Sequence, residues 1–196
     1  MESNNQIIEI LDNTNITNPI RIVRPKKEKI HYIEWDVIKD GLNQIDKPSA
    51  KILITTLAYT GLRVSEIINI KKEDINFKDG YMEVMHLKSR KFLRRIIPIR
   101  DELKNLLFFT SSNLNAKDKL FPYTRQYVFQ LTRKFFVTHP HTFRHSFAVH
   151  FLRTSKNPMA LQILMNLLGH SNINTTMEYL KIVPSDIKKA LDEIEM

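Results

Sequence analysis

The stretch Pro48–Ile70, PSAKILITTLAYTGLRVSEIINI, decides the architecture. Proline in the first turn of a helix sacrifices no useful N–H and already has a helical φ, so Pro48 marks a helix start. Ile52, Leu53, Leu57 and Ala58 make that helix strongly apolar, and Gly61 stops it. A shorter helix is expected at once, Arg63 to Ile70, turning Val64, Ile67 and Ile68 inward. Two helices broken only by a glycine, the first apolar almost throughout, belong in the middle of a mainly helical domain.

Working outward, helical patterns dominate on both sides. Upstream, Ile33, Val37, Ile38 and Leu42 fall on one face of a helix ending near residues 41–43. Downstream the period changes. Tyr81–Leu87 and Arg95–Ile99 read as two short strands joined by a hairpin of lysine and arginine, with Pro98 near the second strand's end. Helices are expected again over Asp101–Phe109, Tyr123–Val137, His141–Arg153 behind Pro140, and Pro158–Leu168, which Gly169 breaks. Ser171 or Asn172 caps a turn running to Leu180, and Pro184 opens a last amphipathic helix over 184–195 with Ile187, Leu191 and Ile194 on one stripe. The expected fold is therefore mainly α with a small antiparallel β-hairpin or sheet (α+β). One domain occupies residues 31–196, preceded by a basic arm or linker over 1–30 that carries Arg24, Lys26 and Lys27.

Composition narrows the class of function. At 42% hydrophobic residues the chain of 196 has enough apolar material for a core. Its 30 Lys and Arg against 21 Asp and Glu leave a net charge of +9, which suits a polyanionic partner whose condensed counterions are released on binding. The absence of cysteine excludes disulfides, thiolate nucleophiles and Cys-based zinc sites. No secretory signal is visible, and no apolar run approaches the roughly 18 residues needed to span a bilayer. The expected location is the cytoplasm, on the chromosome, with no membrane partner.

Four segments carry candidate chemistry. In TGLRVSE, Arg63 begins a helix and Glu66 lies one turn on. An arginine at the positive end of a helix makes sense if an anion sits there, since dipole, backbone N–H groups and guanidinium then converge on it. A plain surface ion pair is the simpler reading of this segment alone. The hairpin LKSRKFLRRIIPI presents Lys88, Arg90, Lys91, Arg94 and Arg95 around one turn, suited to a DNA groove or simply to solvent. In HPHTFRHSFAVHFL, His141 and Arg144 share a helical face, while Phe143, Phe147 and Val149 supply the buried side. Such a pair suits a phosphodiester: arginine forks onto two oxygens and histidine handles a proton. His139, His145 and His150 are expected to serve packing or surface roles. In LLGHSNINTTMEYL, His170 follows Gly169 in a tight turn and Tyr179 closes a short helix. No H-E-x-x-H pattern or carboxylate spacing supports a metal site, and none is expected.

Together, in this order, the four segments resemble the tyrosine recombinase, or phage integrase, family from His31 to the C-terminus. TGLRVSE is similar to the family's first arginine box, HTFRHSFA to its H-x-x-R box, LLGH to its later histidine, and the tyrosine of NTTMEYL to its nucleophile. The resemblance implies the catalytic-domain fold of that family and a site-specific recombinase or integrase that breaks and rejoins double-stranded DNA through a 3′-phosphotyrosine, with no metal and no cofactor. It implies that Arg63 and Arg144 clamp the scissile phosphate, His170 adds a hydrogen bond, Tyr179 attacks, His141 accepts the tyrosine's proton and Glu66 buttresses Arg63. A hairpin lysine protonates the 5′-oxygen. Lys88 is the choice, with Lys91 and Arg90 as alternatives because the hairpin is slightly long for the family. Arg90, Lys91 and Arg94 would then touch DNA, as would Arg24, Lys26 and Lys27 in the arm. Members usually carry a separate helical domain ahead of the catalytic one and act as tetramers; the 184–195 helix would either pack on its own domain or contribute to such an assembly by docking on a neighbour. Here only the arm precedes His31, as in a fragment of a longer member or in a single-domain member that relies on its arm; without the clamp, weak, salt-sensitive binding is expected.

Rival readings follow from the same residues. A type IB topoisomerase shares the arginine, lysine, histidine and tyrosine chemistry but relaxes supercoils as a monomer. A non-catalytic DNA-binding module on the same scaffold is a second rival. An RNA-binding helical protein rests on charge alone, without the aromatic platform that base stacking needs.

Overall fold

In the computed structural model, which describes residues 30–85 and 94–182, helices surround a small sheet. The order is α1 (Trp35–Asn43), α2 (Pro48–Thr60), α3 (Val64–Ile67), β1 (Ile75–Asn76), β2 (Tyr81–Met85), β3 (Arg94–Pro98), α4 (Asp101–Ser111), α5 (Arg125–Phe136), α6 (Pro140–Thr154), α7 (Ala160–Leu168) and α8 (Ile173–Met177). A 3-10 turn at Glu178–Lys181 carries the tyrosine segment on from α8. The sheet is antiparallel in the order β1–β2–β3, with Met82 opposite Ile97 and Val84 opposite Arg95.

The central helix is α2. Pro48 occupies its first turn and Gly61 closes it in the left-handed region at φ 61°, its N–H bonding to the carbonyl of Leu57. Leu53, Ile54, Leu57 and Ala58 are wholly buried, and α1, α4 and α6 pack around them. Thr55, Thr56 and Thr60 are buried as well, and each hydroxyl donates to the carbonyl four residues back, so no polar group is stranded. Thr124 caps α5 by accepting from the N–H of Tyr127 at 3.1 Å, and Asn172 caps α8 by accepting from Asn174 at 2.9 Å.

Several expectations change in detail. The sheet gains a third strand, β1, too short to show a period of its own. Helix α3 is a single turn, ending at Ile67 rather than Ile70. Val37 is 50% exposed, while Ile38, Gly41 and Leu42 form the buried face of α1. Gly41 is where α5 comes closest: a Cβ there would lie 2.2 Å from the Phe136 ring. The expected arm (all but Ile30), the hairpin tip over 86–93 and the tail helix over 184–195 lie outside the described residues.

Two buried clusters result. The larger gathers α1 to α5, the sheet and Phe143. The smaller holds Ala148, Val149, Leu164, Leu168 and Tyr179. Helix α6 crosses from one to the other, and the entry segment is fastened to it. Ser146 Oγ accepts from the N–H of Ile33 at 2.9 Å, His150 bonds to the carbonyl of Ile33 at 3.0 Å, and Arg153 pairs with Glu34 at 2.8 Å. His150 also stacks on Trp35, so it packs, as expected.

Candidate active site

Glu66 is the centre of the cationic half. Its side chain is 1% exposed, far from the surface position that a simple Arg63–Glu66 pair would give it. It accepts from the Arg63 backbone N–H at 2.8 Å, from Arg63 Nη1 at 3.0 Å, and from Arg95 Nη1 and Nη2 at 3.1 and 2.9 Å. Burial pushes the carboxyl pKa up, but Arg95 and Arg63 more than offset this and hold it below the ordinary carboxylate range. The carboxylate therefore stays charged and fixes two guanidiniums by forked bonds.

Arg144 is buried on α6, 1% exposed, and is anchored by backbone. Nη1 donates to the carbonyl of Gly61 at 2.9 Å and Nη2 to that of Leu168 at 2.5 Å. Arg95 Nε donates to the neighbouring carbonyl of Leu167 at 3.1 Å. The last carbonyls of a helix lack intrahelical partners and carry its negative end, so two arginines satisfy the end of α7 in both respects. Burial, and then the charge of Arg63, lower the Arg144 guanidinium to about 10, which leaves it a cation at neutral pH. Gly169 lets the chain turn here at φ +63°, where an added Cβ would meet Arg95 Nη1 at 3.0 Å.

The half that carries Tyr179 hangs on the segment after Gly169. His170 Nδ1 is 2.9 Å from the hydroxyl of fully buried Thr176, and His145 Nδ1 is 2.9 Å from that of Tyr179. Burial first, and then Arg144 and Arg63, lower His170 to about 4. His145 falls to about 4 through burial, then His141 and Arg144. Tyr179 is 3% exposed, and burial raises its hydroxyl pKa. Arg144 and Arg63 favour the phenolate without outweighing that burial. The Tyr179 phenol thus keeps its proton, hydrogen-bonded to His145 and within the field of Arg144 and Arg63.

Arg63, Glu66, Arg144, His170 and Tyr179 are therefore brought together, and the charges of Arg63 and Arg144 are felt at both His170 and Tyr179. His141 is exposed, its ring edge-on to His145 with centroids 4.5 Å apart. Two further residues reach the site without having been assigned to it: His145, expected to pack or face solvent, and Arg95, named only among the hairpin cations. Both stand next to a candidate residue, and only the tertiary packing turns them inward. Arg94 points to the other face of β3, bonding to Glu83 at 2.8 Å. Lys88, Arg90, Lys91, Arg24, Lys26 and Lys27 lie outside the described residues. Among the described residues no three metal-ligating side chains converge.

Comparison with known proteins gives the same picture. Residues 34–185 match the model of the phage integrase family. A tyrosine recombinase of Pseudothermotoga lettingae is 33% identical over 159 residues, covering 73% of this chain and 53% of that protein. The tyrosine recombinase XerA of Pyrococcus horikoshii is 32% identical over 182 residues, 82% of this chain and 60% of that one. The chain thus spans little more than half the length of these curated relatives. Among solved structures, the catalytic domain of bacteriophage HP1 integrase superposes with a TM-score of 0.66 at 23% identity, covering 84% of this chain and 95% of that domain. The Tn1549 transposon integrase in complex with transposon right end DNA gives 0.69 at 21% identity, over 86% and 67%.

Proposed function

This chain belongs to the phage integrase family and has the fold of tyrosine recombinase catalytic domains, and from that premise we propose that it breaks and rejoins double-stranded DNA at specific sites through a covalent 3′-phosphotyrosine at Tyr179. The observation that carries the reading is the placement of the buried Tyr179 hydroxyl in the field of Arg144 and Arg63. An unperturbed tyrosine, with a pKa near 10, is a poor nucleophile at neutral pH. Two guanidiniums that cannot move lower the cost of phenolate and neutralise the pentacoordinate phosphorus in the transition state.

In this mechanism the scissile phosphate lies against Arg63 and Arg144, which Glu66 and the helix-end carbonyls hold in place. Thr176 fixes the His170 ring so that its other nitrogen donates to a non-bridging oxygen. His141 and His145 supply the imidazoles beside the nucleophile. Tyr179 Oη attacks phosphorus in line, the bond to the 5′-oxygen breaks, and Lys88 (or Lys91 or Arg90) protonates that oxygen. The phosphotyrosine keeps the energy of the broken diester, so a 5′-hydroxyl from either duplex reverses the step. Arg94 and the basic arm, with Arg24, Lys26 and Lys27, add phosphate contacts. The working assembly is a tetramer on DNA, joined in part by the 184–195 segment, and acts on the chromosome in the cytoplasm. Among the described residues no helix is long and apolar enough to cross a membrane.

The test is a nicked suicide duplex carrying DNA that flanks the coding gene, followed by a denaturing gel. A protein–DNA adduct that disappears in Tyr179→Phe is expected. DNA binding without an adduct would leave a non-catalytic module, and supercoil relaxation without exchange between sites would indicate topoisomerase-like action.

A further inference from the structure

We propose that His145, rather than His141, is the base that takes the proton from Tyr179 as its oxygen attacks phosphorus. The proposal rests on the recombinase reading of the site and names a catalytic group within it. His145 Nδ1 lies 2.9 Å from the Tyr179 hydroxyl, within the reach that direct proton transfer requires. The contact joins α6 to the 3-10 turn at Glu178–Lys181, whose Tyr179 is part of the smaller cluster, so neither partner is a loose surface side chain. His141 stands one helical turn earlier on α6, exposed, and borders the His145 ring at 4.5 Å.

The surroundings leave the His145 lone pair free, though they weaken it as a base until DNA binds. Burial, followed by the charges of His141 and Arg144, keeps the ring neutral down to about pH 4. With Nε2 carrying the ring's one hydrogen, Nδ1 offers a lone pair to the phenol. A phosphodiester anion against Arg144 offsets part of the cationic contribution, so the ring becomes more basic when DNA is bound. The balance is then complete. The Tyr179 O–H bond breaks and its proton passes to Nδ1, giving an imidazolium. The Oη–P bond forms, the P–O5′ bond breaks, and the 5′-oxygen takes its proton from the hairpin acid. In the reverse direction the imidazolium returns the proton to the departing tyrosine.

The tautomer is tested first, on the unmutated full chain, by long-range 1H–15N correlation of the histidine rings. His145 should show an unprotonated, hydrogen-bonded Nδ1 and a protonated Nε2. A proton on Nδ1 would make the ring a donor to the phenol and overturn the proposal, whether or not any variant folds. Cleavage is then measured on the nicked duplex. His145→Gln and His145→Asn should each slow adduct formation on the order of a hundredfold, with a smaller loss for His141→Gln. A 5′-bridging sulfur, which leaves without needing a proton, should not restore the His145 variants, because their defect lies at the nucleophile. Wild-type rates in the variants, or recovery with the sulfur substrate, would sink this assignment alone. Failure of the unmutated chain to form any adduct would instead sink the recombinase reading and this step with it.

Discussion

Glu66 and Tyr179 face one site from opposite supports. The carboxylate belongs to the side built on the larger core, where Arg63, Arg95 and Arg144 are tied down by hydrogen bonds of 2.5–3.1 Å that link α2, α3, β3, α6 and α7. The phenol belongs to the smaller cluster and sits on a single 3-10 turn, held by a hydrogen bond to His145. The difference separates holding from acting. The cations are also fasteners of the fold, whereas the phenol proposed to give up a proton and form a covalent bond is held by apolar packing and one side-chain hydrogen bond.

That contrast can be broken by stability measurements. The largest effect is expected for Glu66→Ala, which leaves two guanidiniums facing a buried gap and should cost about 3–5 kcal/mol in a urea melt; a loss below about 1 kcal/mol would mean that the carboxylate is no fastener. Acidification comes next. His145 and His170 are protonated in the unfolded chain near 6.5 but in the fold only near 4, so the unfolded state binds more protons between those values and stability falls as pH drops through that window. Each ring contributes on the order of 1 kcal/mol once the water still reaching it is allowed for. Glu66 has the same sign, its contribution present above the unfolded carboxyl value and lost as pH falls through the folded one. Urea midpoints that stay flat from pH 7 to 4 would contradict both. Tyr179→Phe should abolish the adduct yet cost only about 1 kcal/mol, the worth of one hydrogen bond; a penalty like that of Glu66→Ala would erase the distinction. The smallest effect has the opposite sign. Val137, a β-branched residue 81% exposed, ends α5 at φ 51°, and Val137→Gly should raise stability by about 0.5 kcal/mol with cleavage unchanged.

Much of this was legible in the chain because punctuation and period agree. Pro48 with Gly61, and Pro140 ahead of a long amphipathic run, mark α2 and α6 within a residue, and Gly169 ends α7 where expected. The residue types at positions 63, 66, 144, 170 and 179 stand out for the same reason: each lies at a helix start, a glycine turn or a fixed helical spacing. What was hidden depended on tertiary contacts. Strand β3 reads RRIIP, two charges then two apolar residues, so no alternation tells which arginine faces in; the structure buries Ile97, and Arg95 shares its side. His145 sits about a quarter turn from Arg144, and only the packing of the 3-10 turn against α6 puts a hydroxyl beside it. Glu66 looked like half of a surface pair because the second arginine that buries it comes from a strand twenty-nine positions on.

The attachment of Arg144 to the carbonyls of Gly61 and Leu168 bears on how such a protein ages in a genome. A copy released from selection for strand exchange can lose Tyr179 and still fold, but a copy that loses Arg144 unties two helix ends and is cleared as misfolded chain. Silent descendants should therefore keep their arginines long after the tyrosine is gone, and an intact pair of arginines is poor testimony that a relative still cuts DNA.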